Sequence, residues 1–184
     1  NEAKDVLDQA RDEGIKGEDF KLLEHRFDGK QQDGFRASNQ ELPLNKRQSL
    51  IHLYHQGQFQ EALKKAHQLQ FIFPNSSILY NIMGVVHRNL EQLPESINSF
   101  KKAIMINPDF DDAHNNMGLA LKESGDHKKA IESYEKAIKI NPAYAEAHNN
   151  MGVALKSIGK LEEAIKSFKQ AIKIKPDYLM GHNN

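Results

Sequence analysis

The chain has 184 residues, and its 25 Lys and Arg balance its 25 Asp and Glu, so that its formal net charge is zero. A neutral chain gives no electrostatic reason to expect nucleic acid or an anionic membrane surface as a partner, and the absence of cysteine excludes disulfide bonds and thiol catalysis. No apolar run approaches the roughly 20 residues of a membrane span, and no signal-peptide core is visible, so we expect a soluble, cytoplasmic protein.

Residues 1–42 form an N-terminal helical extension and linker that lack the repeat of the remaining chain. Apolar residues recur at helical spacing within residues 3–10 and again within residues 20–27, which predicts two short helices. Residues 30–40 are polar, as in a linker. Two interpretations stay open: the extension caps the first repeat, or it is an arm that docks into a repeat groove, its own or a neighbour's.

After residue 42 the chain repeats with a period of 34 residues, which is visible in its prolines. Pro74, Pro108, Pro142 and Pro176 follow one another at this spacing. A fixed period in the range of about 20–50 residues indicates an architecture of stacked repeats. The period divides the chain into a divergent repeat, three closer copies and the start of a truncated fifth repeat: 43–76, 77–110, 111–144, 145–178 and 179–184.

Each repeat has the pattern of two helices joined by a tight turn. In the third one, Met117 and Leu121 share a helical face, and Gly118 lets a neighbouring helix come close. After a break in the pattern, Asp126 is placed to cap the second helix. We therefore predict an all-α fold, a right-handed α-solenoid of stacked helix-turn-helix repeats.

The repeat resembles the tetratricopeptide repeat, which also has a period of 34 residues. Two copies match its pattern most closely, through Met117, Gly118, Leu121, Gly125, Ala130, Tyr134, Ala137 and Pro142 and through Met151, Gly152, Leu155, Gly159, Ala164, Phe168, Ala171 and Pro176. Residues 77–110 depart from it at Glu91, which takes the place of the turn glycine. The resemblance covers about three quarters of the chain and implies that the first helices line a concave groove.

Polar and apolar side chains recur in rows on the first helices, opposite their packed face. Spacings of four and three residues place one trio on this face in each of the three closer copies. Together with Arg47 in the divergent repeat, the trios are Asn81, Val85 and Arg88; Asn115, Leu119 and Lys122; and Asn149, Val153 and Lys156. Asn116 and Asn150 add a second carboxamide in two copies. We predict that these residues line a peptide-binding groove.

A carboxamide both donates and accepts hydrogen bonds, so rows of carboxamides suit the backbone of an extended polypeptide. The apolar row, formed by Val85, Leu119 and Val153, would receive side chains of the ligand. The basic row, formed by Arg88, Lys122 and Lys156, would favour acidic residues that flank the bound segment. The Asn rows look like those in the superhelical repeat arm of the O-linked N-acetylglucosamine transferases, which implies a protein or extended peptide as the partner. The alternative is structural: the carboxamides satisfy backbone groups between adjacent repeats.

The sequence gives no sign of catalytic residues, of a metal site or of a cofactor. His114, His148 and His182 recur one repeat apart, which is too far for them to share an ion. His52 and His55 have no evident third ligand nearby. No phosphate-binding glycine loop and no nucleophile motif is present, so we expect a chain that is not an enzyme.

We favour a non-catalytic protein–protein interaction module that binds extended polypeptide in the concave groove. The alternatives are the substrate-recruitment arm of a larger enzyme, of the glycosyltransferase or sulfotransferase type, and a self-assembling scaffold. A homo-oligomer would form through the uncapped C-terminal end or through the N-terminal arm. Because residues 179–184 begin a repeat without completing its first helix, we expect a fragment of a longer array, or ends that other copies cover.

Overall fold

The computed structural model describes residues 2–27 and 41–176 of the chain. Within these two ranges there are ten α-helices and no strand. The helices are α1 (Glu2–Asp12), α2 (Glu18–Phe27), α3 (Leu44–His55), α4 (Phe59–Ile72), α5 (Ser77–Asn89), α6 (Leu93–Ile106), α7 (Asp111–Glu123), α8 (His127–Ile140), α9 (Ala145–Ser157) and α10 (Leu161–Ile174). The predicted linker at 30–40 and the predicted start of a fifth repeat at 179–184 lie outside the described residues.

From α3 onward the helices follow one another in pairs, one pair for each 34-residue period. The two helices of a pair pack together, and the second helix of each pair also packs against the first helix of the next. The first helices α3, α5, α7 and α9 contact one another in succession, and they do so more than the second helices. The first helices therefore form the inner layer, and the predicted all-α solenoid is confirmed.

Glycine allows the two helices of a repeat to approach each other closely. A methyl group built on Gly118 would lie 2.5 Å from the ring of Tyr134, which is well inside ordinary van der Waals contact. The same contact recurs one period away on either side, in the pairs Gly84–Phe100 and Gly152–Phe168. The large aromatic residue of each second helix therefore fills the space that a glycine in the first helix leaves open.

The turn between the two helices differs among the repeats. Gly125 and Gly159 adopt positive φ angles of 85° and 79°, which glycine reaches without steric cost. Glu91, which takes the place of the turn glycine, has a φ of 59°, in the left-handed region that a side chain disfavours. At the start of α8, Asp126 accepts a hydrogen bond from the backbone N–H of Lys129 at 3.2 Å, which confirms the predicted cap of this helix.

Residues 2–27, which include α1 and α2, pack against the first repeat and extend its apolar core. Their buried apolar residues belong to one cluster with those of the first repeat: Ala10, Ile15 and Leu23. The Lys46 ammonium lies 2.7 Å from the carboxylate of Asp19, and the side-chain amide of Gln68 donates to the backbone carbonyl of Glu13 at 2.7 Å. Of the two arrangements that the sequence leaves open, this packing corresponds to a cap.

The segment that precedes α3 is bonded to the start of α5. The carboxylate of Glu41 accepts hydrogen bonds from the hydroxyls of Ser76 and Ser77 and from the backbone N–H groups of Ser77 and Ile78. Burial by itself raises the pKa of Glu41, but the hydrogen bonds together outweigh it and hold the pKa below its usual value. A negative charge at this place is also favourable because it faces the N-terminus of a helix.

Candidate binding groove

All of the predicted groove residues lie on the inner helices α3, α5, α7 and α9, but they differ in exposure. Asn115 is buried, with only 3% of its surface accessible. Val153 and Lys156 are exposed. The remaining ones are half-buried: Arg47, Asn81, Val85, Arg88, Asn116, Leu119, Lys122, Asn149 and Asn150. That these residues contact a ligand stays a prediction.

Carboxamides of consecutive repeats bond to one another across the inner face. Asn116 donates through its Nδ2 to the Oδ1 of Asn81 at 3.1 Å. One period later, Asn150 donates in the same way to Asn115, also at 3.1 Å. These side chains therefore bond to one another across the boundary between repeats. The structural alternative to ligand binding was that the carboxamides satisfy backbone groups at this boundary. Each pair joins residues 35 positions apart.

The second of these pairs has an additional partner, which is Tyr144 at the start of α9. The Tyr144 hydroxyl donates to the Asp112 carboxylate at 2.6 Å, and the Nδ2 of Asn115 donates to the same hydroxyl oxygen at 3.4 Å. Burial first, and then the bond to Asp112, raise the pKa of Tyr144 far above its ordinary value. The phenol therefore remains protonated and can act as the donor to Asp112.

Tyr144 and its bond to Asp112 were not among the predictions from the sequence. Tyr144 is the last residue of its 34-residue unit and directly precedes α9, so it belongs to no helical face in a periodicity argument. The available signal was a comparison of the units: where residues 111–144 have Asp112 and Tyr144, residues 77–110 have Ile78 and Phe110. A polar pair at these positions in one unit and an apolar pair in another indicates that the two positions meet.

A second row of contacts between repeats runs parallel to the carboxamide row. Asn89 donates to the hydroxyl of Tyr54 at 3.1 Å, and one period later Arg88 lies 3.9 Å from the carboxylate of Glu123. Glu123 therefore compensates part of the charge of Arg88, one of the residues predicted to favour acidic flanking sequence. The Nη1 atom of Arg88 is buried and has no hydrogen-bond partner among the described residues.

The apolar row lies between the two polar rows and is partly accessible. Ile51 and Val153 are each 38% exposed, and Val85 and Leu119 are half-buried. One apolar side chain for each repeat thus faces the groove. A partner side chain that covered one of them would remove apolar surface from water, which contributes about 25 cal/mol per Å².

Two features are absent from the part of the chain that the structure covers. Across residues 2–27 and 41–176, no group of three or more His, Cys, Asp or Glu side chains is arranged to hold a metal ion. In the same residues, no helix is long and apolar enough to cross a membrane.

Comparison with protein families finds repeats of one kind. A family model described as TPR repeat matches residues 84–125 and 118–159, and a tetratricopeptide-repeat model matches residues 145–178. Together the matches extend from residue 84 to residue 178, which is more than half of the 184 residues. No curated protein matches the chain.

Solved structures of helical-repeat proteins resemble this one. A crystal structure of MamA is 27% identical over 73% of this chain and 79% of that chain, with a TM-score of 0.67. MamA from Desulfovibrio magneticus RS-1 (41-end) is 23% identical over 74% and 77%, with a TM-score of 0.66. TTC0263, a thermophilic TPR protein of Thermus thermophilus, is 20% identical over 73% and 75%, with a TM-score of 0.67. The last two similarities concern the fold alone.

Proposed function

Because the chain belongs to the tetratricopeptide-repeat family, whose members are protein-interaction modules, we propose that it binds an extended segment of another protein in the groove of α3, α5, α7 and α9. The supporting observation is that carboxamides and apolar side chains recur on one face at the spacing of the repeats. A polypeptide laid along the stack would meet similar groups at each repeat. The same groove would hold substrate polypeptide if the chain were the recruitment arm of a larger enzyme.

The carboxamide rows offer groups that match a peptide backbone. In the pair formed by Asn81 and Asn116, one donor of Asn116 and one acceptor of Asn81 are used by their mutual bond. The Nδ2 hydrogens of Asn81 and the Oδ1 of Asn116 remain for a backbone C=O and a backbone N–H. Such contacts do not depend on the ligand's side chains, so sequence preference comes from the other rows.

The apolar row provides anchors that hydrogen bonds alone cannot replace. A net hydrogen bond contributes about 0.5–1.5 kcal/mol, whereas association entropy costs on the order of 4–15 kcal/mol. Apolar ligand side chains over Val85, Leu119 and Val153 would supply part of the difference. We therefore expect weak binding that strengthens when the ligand carries apolar residues at the spacing of this row.

The basic row adds a preference for acidic ligands. Lys122 and Lys156 form no ion pair with any described residue, and both lie beside the apolar row. Their ammonium groups attract carboxylates across water, and salt screens this attraction. The affinity for an acidic peptide should therefore fall as ionic strength rises.

The proposal is tested with a peptide selected from a random 15-residue library on the wild-type protein. Its affinity is then measured by fluorescence anisotropy for wild type, for Asn81→Ala/Asn116→Ala and for Asn98→Ala. Asn98 is an exposed asparagine of α6, outside the inner layer, and serves as the matched control. We expect at least a tenfold loss in the double variant and no change in the control. Equal affinity in all three proteins would contradict the proposal.

A second candidate function, a self-assembling scaffold, is favoured by one observation on α10. This helix exposes an apolar stripe in which Leu161 is 59%, Ile165 52% and Ile172 39% accessible. One period earlier, Ile131 of α8 and Met151 of α9 pack against the same buried apolar cluster. A second copy could therefore cover α10 in the way that α9 covers α8. Light scattering over a range of protein concentrations tests it: wild type should grow in mass and Ile165→Lys should not, and a constant wild-type mass argues against assembly.

A further inference from the structure

The two carboxamide pairs of the inner face make the same bond but leave different groups available. Both bonds measure 3.1 Å. In the first pair, Asn81 is half-buried, and its Nδ2 donates to no group among the described residues. In the second pair, Asn115 is 3% exposed, and its Nδ2 donates to the Tyr144 hydroxyl. Of these two equivalent residues, Asn81 has an Nδ2 group available to a ligand, whereas the Nδ2 group of Asn115 is already bonded.

The difference depends on the residues that lie next to each carboxamide. Tyr144 reaches Asn115 while its hydroxyl is held by Asp112 at 2.6 Å. At the equivalent positions beside Asn81 the chain has Phe110 and Ile78. A phenylalanine ring offers no hydroxyl oxygen to the carboxamide, and an isoleucine cannot hold one in place. The hydroxyl of Tyr144, held by the carboxylate of Asp112, is therefore the group that engages the Nδ2 of Asn115.

We infer that the groove reads the polypeptide backbone at Asn81 and not at Asn115, because Tyr144 withdraws Asn115 from the ligand. Tyr144 is thus a positioning residue: it acts on binding through Asn115 and determines which repeat contacts the backbone. The inference rests on the proposed function for its ligand, while the engagement of Asn115 can be measured without one.

The first experiment needs no ligand and measures the side-chain amide hydrogens of the two asparagines by nuclear magnetic resonance. In the wild-type protein, the Nδ2 hydrogens of Asn115 should exchange with solvent at least tenfold more slowly than those of Asn81. Tyr144→Phe, which installs the residue found one period earlier, should bring the exchange of Asn115 close to that of Asn81. Equal exchange of the two asparagines in the wild-type protein would overturn the inference.

The second experiment measures the affinity of the library-selected 15-residue peptide for single and double variants. Asn81→Ala should weaken binding about tenfold, and Asn115→Ala should weaken it less than threefold in the wild-type background. In the Tyr144→Phe background, the carboxamide of Asn115 is released, so Asn115→Ala should now cost about as much affinity as Asn81→Ala. A purely structural role of Tyr144 would not produce this dependence on background.

The outcomes separate the inference from the proposed function. If no selected peptide shifts the signals of Asn81 or Asn116, the proposed function is wrong, and with it the reading role of Asn81. If a peptide binds the groove but Asn115→Ala in the wild-type background costs as much affinity as Asn81→Ala, the inference is wrong and the proposed function stands. Melting curves show whether Asn115→Ala has a folding defect. If it has one, the exchange rates of the Asn115 amide hydrogens in wild type and in Tyr144→Phe decide the inference instead of the affinities.

Discussion

The repeats at 77–110 and 111–144 have the same backbone plan but reach it with different residues. Both place a glycine of the first helix against an aromatic ring of the second. They differ at the turn, where Glu91 stands in the place of Gly125, and at the ring, which is Phe100 in one and Tyr134 in the other. Both repeats thus keep the glycine at the close contact between their helices, whereas the turn residue and the ring residue differ between them.

Replacing the glycine that both repeats share should give the largest change in the free energy of unfolding. Gly84→Ala and Gly118→Ala each place a methyl group 2.5 Å from an aromatic ring, so the ring or one of the helices must shift. We expect each change to lower the free energy of unfolding by about 1–3 kcal/mol, measured by urea denaturation. Lys128→Ala, at an exposed position of α8, is the control and should stay within about 0.5 kcal/mol of wild type. A Gly118 variant as stable as this control would show that the close approach is dispensable.

The turn is the next position at which the repeats can be made alike. Glu91→Gly relieves the side chain of a positive φ of 59° and should raise the free energy of unfolding by about 1 kcal/mol. The reverse exchange, Gly125→Glu, should lower it by a similar amount. Thermal melts of both variants check the prediction, and a loss of stability in Glu91→Gly would mean that the glutamate side chain makes a contribution larger than its strain.

Replacing the aromatic residue that packs on the glycine should change the free energy of unfolding less. The Tyr134 hydroxyl is buried and has no hydrogen-bond partner among the described residues, and burial raises the pKa of this phenol. Tyr134→Phe, which copies the neighbouring repeats, removes an unsatisfied polar group and should leave stability unchanged or raise it by up to about 1 kcal/mol. Urea denaturation measures the difference. A loss of more than that amount would reveal a partner for the hydroxyl, such as an ordered water molecule.

The smallest effect concerns how the first helices of the two repeats begin. Helix α7 has its own Asp111 and Asp112 in the first turn, whereas α5 is bonded to the distant Glu41. Because the pKa of Glu41 is lowered from 4.5 in the folded state, its contribution is present above pH 4.5 and is lost as the pH falls through the folded value. Glu41→Gln should therefore reduce stability at pH 7 by less than about 1 kcal/mol.

The difference between the two proteins should shrink as the pH falls below 4.5 and the wild-type carboxylate takes up a proton. Melting temperatures of wild type and Glu41→Gln at pH 7 and pH 3 test this dependence. A difference between the two proteins that is equal at both pH values would show that the charge of Glu41 is not what stabilises α5.

The fold could be predicted from the sequence because its determinants are local and repeated. The 34-residue period, Gly118 beside Met117 and Leu121, and the cap at Asp126 each act within one helix pair. Stacking then follows, since every pair buries a similar face on its neighbour. For the packing of α1 and α2 the sequence leaves two interpretations open, because these helices occur once and no period relates them to the remaining chain.

The polar partners on the inner face could not be predicted to the same extent. Periodicity places Asn115 on the groove side of α7, but in the structure its side chain is buried and bonds to a residue 29 positions later. Whether a carboxamide at such a position is open depends on the loop residue that precedes the next helix. That residue, Tyr144, lies outside the helical periodicity on which the sequence argument relied.

The bonds between residues 35 positions apart have a mechanical consequence. Asn81 with Asn116, and Asn115 with Asn150, link consecutive inner helices through side-chain hydrogen bonds, while the outer helices pack less closely on one another. Straightening the superhelix must lengthen the inner edge and break these bonds, whereas tighter winding does not. The curvature of this repeat stack therefore has a soft direction and a stiff one, and extension is the stiff one.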